Sequence, residues 1–123
     1  MLKHTHTVLP AADLQCACSL CHDKLGLDPV REEPGILMHD SGQGAAFELY
    51  ETSNAGTAEN TQMGWMTDDL KNEISVLRSR GVVFEECDIP GMKTVDGVAT
   101  MDGLRAAWFR DSEGNFLCIT QRM

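Results

Sequence analysis

The tightest constraint on what this chain can fold into is a pattern that occurs twice along it. Residues 4–10 (His-Thr-His-Thr-Val-Leu-Pro) alternate like a short strand and stop at Pro10. Asp13 is a good helix N-cap. Leu14, Ala17, Cys18, Cys21 and Leu25 then form an apolar stripe at helical spacing, and Gly26 stops the helix. The same order returns further on: residues 62–66 read as a strand, Thr67 or Asp68 caps a helix with Leu70, Ile74 and Leu77 on one face, and Gly81 ends it. Asp13 precedes Gly26 by 13 residues and Asp69 precedes Gly81 by 12. A repeat that covers nearly the whole chain implies two copies of one supersecondary unit.

The remaining segments complete each copy with strands. In the first half these are residues 29–33 and 36–39, separated by Pro34-Gly35, and then 45–51. The polar stretch 52–61 is the natural boundary between halves. In the second half residues 82–86 read as a strand, and Glu85-Glu86 at its end match Glu32-Glu33 in the first. Residues 88–104 form a long, irregular connection. The chain closes on a hairpin, residues 106–122, whose turn Asp-Ser-Glu-Gly-Asn places Gly114 where a positive φ is needed. The expected fold is α+β: two βαβββ modules with pseudo-two-fold symmetry, facing sheets and helices packed outside. They make one domain over 1–123, module one at about 1–53 and module two at about 62–123.

Symmetry singles out four side chains. The residue seven before each helix-start aspartate is His6 in the first half and Gln62 in the second. The last strand of each module offers Glu48 between Phe47 and Leu49, and Cys118 between Leu117 and Ile119. Strand side chains alternate faces, so Cys118, with Phe116 and Thr120, points away from the packed layer and toward a cavity. Imidazole, carboxylate, amide oxygen and thiolate all bind divalent metals, so His6, Glu48, Gln62 and Cys118 form a candidate metal site for zinc or another first-row ion. Each also has an ordinary structural reading: a surface histidine, a carboxylate with a local partner, a loop-edge amide, a small inert core thiol.

Bulk properties exclude several partners. With 10 Lys+Arg against 19 Asp+Glu the net charge is −9, which argues against nucleic acid and against an anionic membrane. No apolar run approaches the roughly 18 residues of a spanning helix. Asp13 interrupts any apolar stretch behind Lys3, so no export signal is expected and the five cysteines are expected to be reduced in a cytoplasm. Cys18-Ser19-Leu20-Cys21-His22 matches a haem-attachment pattern, but it lies inside an amphipathic helix, and no haem is expected. Cys16 lies off the apolar stripe and is the thiol exposed to oxidation.

Several motifs resemble those of the vicinal-oxygen-chelate superfamily, the glyoxalase, bleomycin-resistance and dioxygenase group. They are Leu9-Pro10-Ala11-Ala12-Asp13-Leu14, Asp23-Lys24-Leu25-Gly26-Leu27, Thr67-Asp68-Asp69-Leu70 through Arg80-Gly81-Val82, and Ala107-Trp108-Phe109-Arg110-Asp111-Ser112-Glu113-Gly114-Asn115. The resemblance spans essentially the whole chain. It implies paired βαβββ modules forming a cup-shaped site, commonly in homodimers, with one metal ligand from each of the four positions named above. Metal-binding relatives generally carry Glu where this chain has Cys118, and several carry His where it has Gln62. An extradiol dioxygenase iron wants two His and one carboxylate, and only His6 and Glu48 are available. Two functions follow. One is a lyase or isomerase dependent on zinc, nickel, manganese or iron, acting on a small oxygen-bearing substrate with Glu48 as the proton-transfer residue. The other is a metal-free, ligand-sequestering protein of the drug-binding kind that holds a small molecule; the acidic balance is compatible with a cationic ligand and equally with a solvated acidic surface.

Overall fold

A computed structural model describes residues 1–3 and 5–123, with Ser41 and Gly42 described as backbone only. The strand expected from residue 4 begins outside the described residues at His4, and its observed part is β1 (Thr7–Ala11). The chain divides into two compact units, Met1–Glu59 with Asp111–Asn115, and Asn60–Arg110 with Phe116–Met123.

In the first unit β1 leads into α1 (Leu14–Leu20), which widens into a π-helical turn over Cys21–Leu25. The Asp13 side chain accepts the Cys16 backbone N–H at 3.0 Å, the N-cap bond that satisfies an orphan donor of the first turn. Gly26 ends the helix in the left-handed region. Three strands follow, β2 (Pro29–Glu33), β3 (Ile36–Gly42) and β4 (Ala45–Glu51). The sheet order is β1-β4-β3-β2, with β1 parallel to β4 and the other neighbours antiparallel. Leu9, Ala11, Phe47 and Leu49, together with Ala17 and Cys21 of the helical segment, are buried. The alternate residues of the same strands, Val8 and Glu48, are not. One sheet face is therefore the core beneath α1, and the other is available for a site.

The turn Asp111–Asn115 belongs to this unit. Glu113 Oε1 accepts the Asp13 backbone N–H at 2.7 Å, and Asn115 Nδ2 donates to the Pro10 carbonyl at 2.8 Å. Within the turn the Asp111 carboxylate accepts from the backbone N–H of Glu113 and of Asn115. Gly114 takes φ 85°, as its place in the turn requires.

The second unit holds β5 (Thr61–Met66), α2 (Leu70–Ser79), β6 (Asp88–Ile89), β7 (Met92–Val95), β8 (Val98–Met101), β9 (Leu104–Arg110) and β10 (Phe116–Arg122). Its order is β5-β10-β9-β8-β7-β6, and β5 is parallel to β10. Strands β5, β10, β9 and β8 repeat the order of β1, β4, β3 and β2, so the βαβββ module occurs twice, with β6 and β7 added to the second copy. Asp69, one residue beyond the expected caps, accepts the Asn72 N–H and starts α2. Leu70, Ile74 and Leu77 are buried as their spacing requires.

Two expectations fail here. Residues 82–86 are not a strand: β8 covers only the Leu104–Ala106 part of β9, and beyond it Phe84 makes a single bridge to Phe109 while Glu85 N–H donates to Trp108 O. The counterpart of β2 is β8, so the matched glutamate pairs do not mark equivalent strands. The connection 88–104 is regular, with hairpins turning at Pro90-Gly91, Asp96-Gly97 and Asp102-Gly103. Among the described residues no helix is long and apolar enough to cross a membrane.

Candidate functional site

The exposed sheet face of the first unit gathers the first two predicted site residues. Glu48 on β4 lies in register with Val8 on β1 and Met38 on β3, so the three share a face. His6 precedes β1 by one residue. Its Nε2 lies 3.7 Å from Glu48 Oε2, too long for a hydrogen bond and within reach of an ion pair when the imidazole is protonated. The Glu48 side chain keeps 19% of its exposure, so this carboxylate is mostly withdrawn from water with a histidine as its neighbour. A cavity of about 420 Å³ opens beside them, lined by His6, Val30, Arg31, Met38 and Ala46. Its size is that of a small-molecule site.

Gln62 and Cys118 occupy the equivalent places in the second unit. Cys118 on β10 pairs with Gly64 on β5 and Trp108 on β9, and Gln62 lies two residues before Gly64, as His6 lies two before Val8. Gln62 is the extra residue at a bulge between the Thr61–Phe116 and Met63–Leu117 pairs. Its Oε1 is buried with no hydrogen-bond partner among the described residues, a position that costs about 1–3 kcal/mol unless a donor reaches it. Burial pushes the Cys118 thiol up to about 11, so at neutral pH it is a protonated, apolar-like group. Gly64 leaves space beside it that is already tight: a Cβ there would sit 3.1 Å from the Cys118 carbonyl oxygen. Trp108 shares the Cys118 face, and its Nε1 donates to Thr61 Oγ1 at 3.0 Å.

A resident metal wants three or four protein donors. The structure joins His6 to Glu48, and among the described residues no group of three His, Cys, Asp or Glu side chains is close enough to hold an ion. Among the described residues Cys16, Cys18, Cys21 and His22 form no such group: Cys21 is buried, Cys16 is exposed, and His22 Nδ1 is hydrogen-bonded to Asp28 Oδ1 at 2.5 Å.

Met38, Ala46, Val30 and Arg31 escaped the sequence reading as site residues. Only Met38 and Ala46 carry a signal that could have found them, the period-2 alternation outward from Glu48 across antiparallel neighbours. His39 was also missed. It is fully buried on the core face of β3, stacked on Phe47 at 4.8 Å, and neither ring nitrogen has a hydrogen-bond partner.

The two-module architecture with this strand order is shared with solved structures of bleomycin-binding, antibiotic-binding and glyoxalase/bleomycin-resistance proteins. The chain is similar to a bleomycin-binding protein solved with bleomycin (TM-score 0.72, 18% identity, 99% of this chain and 100% of that one). It is similar too to TnmS3, an antibiotic-binding protein from a Streptomyces species (TM-score 0.69, 19% identity, 100% of both chains). A third is a glyoxalase/bleomycin resistance protein from Catenulispora acidiphila (TM-score 0.69, 17% identity, 97% of both). No family profile and no curated protein matches the sequence.

Proposed function

We propose that this protein binds and sequesters a small organic cation, with Glu48 as the counter-charge and Met38, Val8 and Ala46 as the apolar floor. The observation that carries the reading is the withdrawn Glu48 carboxylate, whose ion-pair partner among the described residues is a histidine 3.7 Å away, on an open sheet face beside a cavity of about 420 Å³. Arg31 at the same cavity is engaged by Glu33 at 3.3 Å, so the Glu48 carboxylate is left for a ligand that brings a cation. The net charge of −9 adds a long-range attraction for such a ligand. Solved bleomycin-binding and antibiotic-binding proteins of the same fold support a small-molecule-binding role.

The test is a melting-shift screen of amines and quaternary ammonium compounds against uncharged analogues. Stabilisation by the cations should fall at least tenfold in affinity in Glu48→Gln, which keeps shape and removes charge. Equal affinity in that variant would place the site elsewhere.

The second reading is a metal-dependent lyase or isomerase, favoured by the juxtaposition of His6 and Glu48 with a catalytic role for the latter. Gln62 and Cys118 would supply the remaining donors, and zinc, nickel, manganese or iron(II) would polarise a substrate oxygen. Metal content near one equivalent in protein purified without chelator would establish it, and less than about a tenth would reject it. Homodimer formation and a cytoplasmic home belong to the same proposal, and light scattering on the purified chain checks the first.

A further inference from the structure

We propose that the second unit carries a second, separate binding groove, for an amphipathic organic acid: an apolar body bearing one carboxylate. The groove runs between α2 and the β7–β9 part of the sheet, has a volume of about 440 Å³, and is lined in part by Leu70, Ile74, Val95 and Val98. Val95 and Val98 are opposite each other in the β7–β8 hairpin, and Val95 keeps 72% of its exposure, so apolar surface faces water at the mouth. The volume and the apolar floor are those of a small-molecule pocket.

Charge selects the ligand. Lys71, Arg78 and Arg105 line the same groove, three of the 10 cations in a chain of net charge −9. Lys71, Ser75 and Arg78 follow one another at four and three residues along α2, so they share a helix face. Arg105 approaches from β9, where it pairs in register with Thr100 and Gln121.

The three cations are not equivalent. Arg78 is already engaged: its Nη2 donates to Asp96 O at 3.0 Å and lies 3.2 Å from Asp96 Oδ1, and its guanidinium stands 5.6 Å from the Phe84 ring centre. Gly97 makes room for it, because a Cβ there would sit 3.1 Å from that same Nη2. Arg78 is thus a fixed wall. Among the described residues Lys71 and Arg105 form no ion pair, and the one acid of the lining, Asp96, is taken by Arg78, which leaves two cations over an apolar floor. A carboxylate headgroup between them completes the charge balance, and an alkyl or aromatic body covers the valines.

Monomeric octanoate is the probe and octylammonium its charge-reversed control, followed by amide chemical shifts of the full chain. Octanoate should perturb residues 71–78, 95–98 and 105, with octylammonium at least tenfold weaker there. Lys71→Glu with Arg105→Glu should lower octanoate affinity at least tenfold. Val95→Asp, a single exposed change at the mouth, should weaken it independently, and unchanged melting curves would show that both variants fold. Octanoate shifts confined to other residues, equal binding of the two probes at the groove, or affinity unmoved by the charge reversals would each overturn the proposal. So would binding to anionic lipid vesicles without any response to monomeric octanoate.

Discussion

A fully buried imidazole carries a cost that depends on pH. Burial holds the pKa of His39 below the ordinary histidine range, against smaller opposing effects of the Leu37 backbone and Asp28. The unfolded chain therefore binds a proton that the folded chain refuses. The contribution is intact above about pH 6.5 and is lost as pH falls below it, at up to about 1.4 kcal/mol per pH unit. His39→Phe keeps the stack on Phe47 and removes the titration. Denaturant melts between pH 5 and 7.5 should show a flatter stability profile in the variant, and equal slopes would contradict the assignment. The thiols give a second check at the same scale. Burial pushes Cys21 up to about 12 and Cys118 up to about 11, whereas Cys16 is exposed. A thiol reagent at pH 7.5 should label Cys16 in the native protein and reach Cys21 and Cys118 only on unfolding. Mass mapping of the labelled sites decides this.

Among the elements, the turn Asp111–Asn115 has the most demanding geometry. Gly56 takes φ 76°, and a Cβ there would lie 2.3 Å from the Glu113 carbonyl oxygen, so the backbone itself would have to move. Gly35 has the same φ with nothing within 4 Å. Gly35→Ala should cost about 1 kcal/mol for the left-handed conformation alone, and Gly56→Ala distinctly more. Equal losses in thermal melts would mean that the close approach carries no weight.

Much of this level was legible in the sequence. The caps, the glycine stops and the terminal hairpin follow local rules that tertiary context did not override. The misreading of residues 82–86 has a clear cause: a β-prone run looks the same whether it gains a full partner or one bridge, and here β8 had already taken the rest of β9. The hairpins within 88–104 were signalled by Asp96-Gly97 and Asp102-Gly103, the two-residue turns that favour antiparallel pairing, but strands of two to four residues are too short for alternation to declare itself. Repeat symmetry located His6 against Gln62 and Glu48 against Cys118 in register. It carried no information on Val30, Arg31 or His39, whose roles depend on the neighbours that packing brings.

At the scale of the molecule, one fold can serve catalysis or capture, and the donor set makes the difference. Cys118, the fourth of the predicted donors, is a buried thiol that stays protonated at neutral pH. What the chain retains is the His6–Glu48 pair beside a cavity, within a strongly acidic protein. Cation capture should therefore weaken with ionic strength as the long-range part of the attraction is screened. A ligand at a hundred times its dissociation constant stabilises by about 2.7 kcal/mol, a melting shift of roughly 10 °C for a chain of this length.

The most direct measurement is that shift in chelator-treated protein, taken with matched cationic and uncharged ligands, for the wild type and Glu48→Gln. Stabilisation by the cationic ligand alone, without added metal and lost in the variant, is the predicted result. Stabilisation that requires a divalent metal, or that survives Glu48→Gln unchanged, would contradict it.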